Sequence, residues 1–170
     1  MRLLIDHGAD VNAQDESHTT PLHLSSFLGI PEIAQLLIER GANVTSQDRT
    51  HRTPLHMASS WVSAKTVLPS IQHRAHANGQ DDSIVISSNT ILPEKTGTVR
   101  LLIDHGANVN AKDQTNSTPL HLASSVGSID TVRLLIDHSA DVTAQDVHRM
   151  TPLHMAASWV SGENTLLFMQ

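Results

Sequence analysis

The chain has 170 residues and a net charge of −6, with no Cys, no Tyr and only two Phe and two Trp. Without thiols there is no disulfide framework, iron–sulfur cluster or thiolate zinc site, and nothing points to an oxidising compartment. An acidic chain with so few aromatic rings offers neither phosphate neutralisation nor a stacking platform for bases, so nucleic acid is not an expected partner.

Along the chain, the tetrapeptide Thr-Pro-Leu-His begins at Thr20, Thr53, Thr118 and Thr151; the outer two intervals are equal and the middle one is nearly twice as long. A second phrase accompanies it: Leu-Leu-Ile, an acidic residue, then His or Arg and Gly-Ala. It opens at Leu3, Leu36, Leu101 and Leu134, with Ser139 standing once for the Gly. Residues 1–14 are the tail of one unit. Residues 15–47 form a full unit, in which Thr20 caps a short helix that starts at Pro21 and runs to about Leu28, where Gly29 turns the chain. Gly8, Gly41 and Gly106 stand where a second helix needs a left-handed C-cap, preceded by His7, Arg40 and His105, which suit a helix carboxyl end.

Residues 48–112 are a unit interrupted between its two helices. Excising residues 68–99 joins Val67 to Arg100 and restores the register. The excised stretch holds Pro69, Gly79, Asp81, Asp82 and Pro93, with a weak extended segment expected over residues 83–92. Three readings fit it: a partner-binding insertion, a disordered loop, or a segment removed by splicing. Residues 113–145 are again a full unit, in which Ser128 is expected to cap the second helix and Ser139 to weaken its C-cap. Residues 146–170 are a partial unit. A longer period overlies the shorter one, since roughly half of residues 1–72 recur at 99–170. That pattern fits a tandem duplication.

These phrases resemble the ankyrin repeat, a unit of about 33 residues with a Thr-Pro-Leu-His opening and a Gly-Ala-Asp-Val-Asn closing. The resemblance implies an all-α repeat solenoid, in which stacked antiparallel helix pairs are joined by hairpin-like loops. One helix pair cannot bury both its faces, so stability is expected from unit stacking on unit. Thin layers of Leu, Ile, Val and Ala then do the packing, and few aromatic residues are required. The loop-tip Gly usual in the family is His18, His51, Asn116 and Arg149 here. Of these only Asn adopts positive φ cheaply, so the turn is expected to take another form.

Twelve His residues raise the question of metal binding or catalysis. His23, His56, His121 and His154 belong to the repeated tetrapeptide. A catalytic base is needed once, whereas a residue copied into every unit is structural; in the family this His bonds neighbouring loops. His73 and His76 lack a third ligand. No zinc-protease, nucleophile-elbow or phosphate-loop pattern occurs, so no cofactor, no metal and no catalysis are expected. The longest apolar runs fall far short of the roughly 20 residues that span a bilayer, and Asp6 interrupts the amino-terminal run too early for a secretory signal. No membrane partner is expected, and the setting reads as intracellular, cytoplasmic or nuclear.

A scaffold with a constant backbone carries selectivity at its variable positions. The resemblance places these at the loop tips and first-helix ends. The tips are represented by Glu16, Arg49, Arg52, Gln114, His148 and Met150; the helix ends by Phe27, Leu28, Trp61, Val126 and Trp159. Trp is a preferred interface anchor, although Trp61 and Trp159 filling space between units is the rival reading. The implied function is recognition of a protein partner of unknown identity on the concave face and loop tips. The alternative is a regulatory or sensor segment of a larger signalling enzyme or nucleotide-dependent receptor. The array starts and stops inside a unit, so it is expected to be part of a longer array or to fray or self-associate at uncapped ends.

Overall fold

The computed structural model describes residues 1–60 and 95–159, the last by its backbone alone. Within them lie eight helices: α1 (Arg2–Asp6), α2 (Pro21–Leu28), α3 (Pro31–Glu39), α4 (Pro54–Ser59), α5 (Thr96–Asp104), α6 (Pro119–Ser125), α7 (Ile129–Asp137) and α8 (Pro152–Trp159). The described residues contain no strand. The fold is the expected all-α array.

The first helices α2, α4 and α6 start alike. Thr20, Thr53 and Thr118 are extended and hand over to Pro at the first helical position, where the ring's fixed φ suits the helix and no N–H is wasted. The second helices α1, α3, α5 and α7 finish alike. Ala9, Ala42, Ala107 and Ala140 each donate a backbone N–H to the Leu five residues earlier, at 2.9–3.0 Å. The residue between is left-handed: Gly8, Gly41 and Gly106 at φ 86–90°, and Ser139 at φ 67°. This is a Schellman ending, in which a left-handed residue lets the orphan carbonyls of the last turn find donors. His7, His105 and His138 add a ring Nδ1–H bond of 2.7–2.8 Å to the Leu carbonyl four residues back. Ser128 occupies the N-cap position of α7, but its hydroxyl donates to Thr131 Oγ1 at 2.9 Å instead of accepting from the backbone.

Units pack in sequence. α2 lies on α3 and α4, α6 on α7 and α8, and the second helices form their own row through α3, α5 and α7. α4 touches α2, α5 and α6, so the stack continues across the interruption. The buried apolar core of the described residues is Leu, Ala and one Val, with Leu22, Leu37, Leu55, Leu102, Leu120 and Leu135 at 0–1% exposure. Each layer contributes one or two leucines and an alanine, which is how the chain dispenses with aromatic rings.

The excision placed at residues 68–99 needs correction at its end. α5 begins at Thr96, and Thr98 and Val99 are buried within it, in the places that Thr131 and Val132 take in α7. Thr-Val occurs both at 66–67 and at 98–99, so sequence register fits either pair. The buried pair is the one continuous with Leu101 and Leu102. The expected extended segment at 83–92, His73, His76 and Trp61 lie outside the described residues.

Gly106 has open space around a hypothetical Cβ, so its substitution is felt only through backbone strain. Ser139→Gly is expected to stabilise the chain by about 1 kcal/mol and Gly106→Ala to destabilise it by about the same amount. Urea midpoints of the two variants against the parent check this.

Candidate functional site

The loop tips form one continuous edge. The Ser17 carbonyl accepts the Arg49 N–H at 2.9 Å, the Thr50 carbonyl accepts the Gln114 N–H at 2.9 Å, and the Thr115 carbonyl accepts the Val147 N–H at 3.0 Å. Each tip is braced from within by an Asp. Asp15 Oδ1 accepts from Ser17 and Thr19 N–H; Asp48 from Thr50 and Arg52; Asp113 from Thr115 and Ser117; Asp146 from His148 and Met150. All eight bonds are 2.8–3.0 Å.

This bracing overturns the expectation of a different turn. His18, His51, Asn116 and Arg149 all adopt the left-handed conformation, at φ 58–61°. A left-handed non-Gly residue costs roughly 1–2 kcal/mol. Two carboxylate-bound N–H groups flank each one, and a third bond runs from the left-handed residue's own N–H back to the Asp carbonyl. Hydrogen bonds to a charged acceptor are among the stronger ones, and together they hold the strained residue. The same bonds act on the carboxylates. Backbone donation from Thr19 is the main influence holding the Asp15 pKa below its ordinary value. At Asp113 burial pushes the pKa up, but the Thr115 and Ser117 bonds outweigh it and the net shift is downward.

Glu16, Arg49, Gln114 and His148 are exposed on this edge. Arg52 and Met150 sit deeper. Arg52 Nε lies 3.6 Å from buried Asp113 Oδ2, a charge contact longer than a hydrogen bond, and the carbonyls of Arg52 and Met150 are bound by histidines of the preceding units. Part of each residue is therefore committed to the scaffold.

Those histidines are the repeated ones. His23 Nδ1 accepts from the Thr20 backbone N–H and hydroxyl at 3.2 and 2.8 Å, and its Nε2–H donates to the Arg52 carbonyl at 3.0 Å. His56 repeats this with Thr53 and the Ser117 carbonyl, and His121 with Thr118 and the Met150 carbonyl. The structural assignment of this His follows from the bonds: both ring nitrogens are engaged in a cap and an inter-unit tie. Burial pushes the pKa values of His23 and His56 down, against the opposing pull of the carbonyls that they bind.

At the first-helix ends, Leu28 is exposed, whereas Phe27 and Val126 are half-buried. Trp159 closes α8 by its backbone; its side chain and all of Trp61 lie outside the described residues. The Phe27 ring is not free. Lys95 Nζ lies 5.2 Å from its centroid and donates to the Ser60 carbonyl at 2.6 Å, and burial pulls the Lys95 pKa down to about 8. Sequence reasoning missed this residue because it had been assigned to the insertion.

Among the described residues no group of three or more His, Asp or Glu could hold a metal ion, and no helix is long and apolar enough to cross a membrane.

A constant scaffold carrying a varied edge defines a helical repeat solenoid. Residues 1–81 and 92–169 match the family described as ankyrin repeats, three copies. The ankyrin repeat protein FPV222 of fowlpox virus (strain NVSL) is 33% identical over 129 residues, which are 75% of this chain and 13% of that protein. The chain belongs to the ankyrin repeat family, whose repeats generally mediate protein–protein interaction and are typically non-catalytic. The chain thus spans about an eighth of the length of this relative.

The lowered His pKa values have a direction. The unfolded chain binds protons near pH 6.5 that the folded chain resists, so the histidines' share of the stability is full above that pH and falls as pH drops below it. The Asp113 contribution is lost separately, at pH values below its ordinary 3.8. Urea midpoints are expected to decline shallowly from pH 8 to 7, where folded Lys95 is still taking up the proton that the unfolded chain already holds, and to fall further toward pH 5 as the histidines act. His56→Gln should flatten that slope and cost about 1–3 kcal/mol at pH 7.5, as read from the same titrations.

Proposed function

We propose that the chain recognises a partner protein along its row of loop tips and the adjoining first-helix ends on the concave face of the array. The observation that carries this reading is the linked edge itself. Four tips are joined backbone to backbone, over an invariant frame of Asp, Thr, Pro, Leu and His, while the exposed side chain after each Asp changes from Glu16 to Arg49 to Gln114 to Val147, with exposed His148 beside the last. The edge is preorganised, so little ordering entropy opposes binding. Its order of acidic, basic, amide and apolar groups, with the His148 imidazole next to the last, favours a partner with a complementary sequence of groups. Phe27, Leu28 and Val126 supply apolar area beside it, with Trp61 and Trp159 as the proposed anchors. A Cys-free chain fits an intracellular setting.

Affinity capture with the intact chain tests this. Replacing Glu16, Arg49 and His148 together by Ala, or Trp61 and Trp159 together by Ala, is expected to weaken capture of the same partner at least about tenfold, the loss of roughly 1.4 kcal/mol or more. A matched set on the exposed side of α7, Arg133→Ala with Asp137→Ala, should leave capture intact. Urea midpoints verify that each variant folds. Capture lost through the α7 set and retained by the tip and Trp sets would overturn the reading.

A further inference from the structure

Among the described residues, second helices meet at three junctions: α1 with α3, α3 with α5, and α5 with α7. The first and the last are tied by an asparagine just past the earlier helix. Asn12 Nδ2–H donates to the Gly41 carbonyl at 2.9 Å, and its Oδ1 accepts the Asn43 N–H at 2.8 Å. Asn110 makes the same pair of bonds with the Ser139 carbonyl and the Asp141 N–H, at 3.1 and 2.8 Å. At the first junction Arg40 also pairs with Asp6 at 2.8 Å.

The middle junction is built differently. Thr45 stands where Asn12 and Asn110 do, and its hydroxyl turns back to Asn43 Oδ1 in its own loop, at 2.8 Å. One hydroxyl oxygen cannot span two groups of the next unit as a carboxamide does. Among the described residues no hydrogen bond joins this loop to the Gly106 carbonyl or the Asn108 N–H, the counterparts of the groups that Asn12 binds. Three buried hydroxyls on the helices of the same junction also go without a partner among the described residues: Ser26 of α2, Ser59 of α4 and Thr98 of α5, all at 0–2% exposure. In α7 the counterpart of Thr98 is Thr131, whose Oγ1 receives the Ser128 hydroxyl. In α5 Lys95 takes the place of Ser128 and sends its ammonium to the Ser60 carbonyl instead. A buried hydroxyl without a partner forgoes the bonds that water would give it, so these groups favour parting of the helices.

The loop side of the junction is intact. The Arg49 N–H reaches the Ser17 carbonyl and the His23 Nε2–H the Arg52 carbonyl, just as Gln114 reaches Thr50 and His56 reaches Ser117 at the next one.

We infer that the array hinges between its 15–47 and 48–112 units. The loop bonds stay made and form the pivot, while α3 swings from α5 at the ends that Asn12 and Asn110 tie elsewhere. In an array held by nearest-neighbour contacts, one weaker junction concentrates the motion. Lys95 over the Phe27 ring limits the swing at the other end of α5. As the hinge moves, the tip that carries Glu16 tilts against those that carry Arg49, Gln114 and Val147. A ligand that meets the whole edge therefore selects one angle.

The hinge does not depend on recognition of a partner, since its test contains this chain alone. The absence of native Cys lets spin labels be placed at exposed, equivalent positions: Glu39→Cys with Asp104→Cys across the middle junction, and Asp104→Cys with Asp137→Cys across the last. Dipolar broadening in frozen solution reads the separations. The first pair is expected to resolve into a near and a far population, the second into a near one alone. Thr45→Asn supplies the missing tie and should cut the far fraction of the first pair at least about threefold. Asn110→Thr removes a tie and should create a far fraction in the second. The two substituted residues are exposed, and circular dichroism verifies that every variant folds. Identical distributions from the two pairs, or either pair left unchanged by its substitution, would overturn the inference.

Discussion

One imidazole per unit ties the array together, and most of the architecture follows from its two ring nitrogens. Nδ1 accepts from the Thr that precedes the first helix, and Nε2–H donates to a carbonyl in the loop of the next unit. The helices that it caps are six to eight residues long, well under the length at which an isolated helix persists in water. Each must therefore be held by its cap and its neighbour, and the imidazole supplies part of both. The ties at His23 and His121 span 29 residues and the tie at His56 spans 61. The extra span at His56 equals the excess of the middle interval between Thr-Pro-Leu-His phrases over the outer two. The unit after the interruption is thus seated in the same geometry as every other.

The loop edge obeys the opposite logic, with strain tolerated where display is needed. A Gly at His18, His51 or Arg149 would relieve the left-handed backbone and remove an exposed side chain from the edge. The Asp carboxylate makes the non-Gly residue tenable by binding the two flanking N–H groups, so the tip keeps a fixed shape whatever its side chain. Constancy at Asp15, Asp48, Asp113 and Asp146 is what allows Glu16, Arg49, Gln114 and Val147 to differ. Arg52 shows the limit of that freedom. Its backbone carbonyl and guanidinium both serve the scaffold, so its role as a free recognition residue is narrower than its position in the sequence implies.

The helix starts, the Schellman endings and the Leu layers were all legible in the sequence, because each is fixed within a few residues by Thr-Pro, by Gly-Ala or by a repeated Leu. What was not legible depends on contacts between distant segments. The left-handed form at His18 looked prohibitive until the Asp15 bonds were seen to brace it. The end of the insertion was ambiguous because Thr-Val stands at both 66–67 and 98–99, and only burial of Thr98 and Val99 distinguishes the pairs. Ser128 had the right residue type for a cap, yet Thr131 Oγ1 lies within its reach and takes its hydrogen. The pairing of Lys95 with Phe27 joins residues far apart in the chain, across a stretch that breaks the repeat, and no local signal announces it.

Lys95 also bears on what restores the register after the interruption. It stands at the N-cap position of α5, where a positive charge opposes the helix dipole, but its ammonium reaches the Ser60 carbonyl at the carboxyl end of α4, where the dipole favours it. The Phe27 ring face adds a cation–π attraction. Burial nevertheless lowers the pKa to about 8, so the carbonyl and the ring only partly offset desolvation of the ammonium. Replacing a short turn, such as the one between α6 and α7, by the long stretch between α4 and α5 adds roughly 2 kcal/mol of chain entropy to the cost of ordering the unit. A half-compensated ammonium does not outweigh that. Burial of Val99 and Leu102 together with the His56 tie does, since a fully buried aliphatic side chain contributes about 1.5–3 kcal/mol. Packing and the imidazole tie therefore set the register, and Lys95 fixes where the returning chain meets α4.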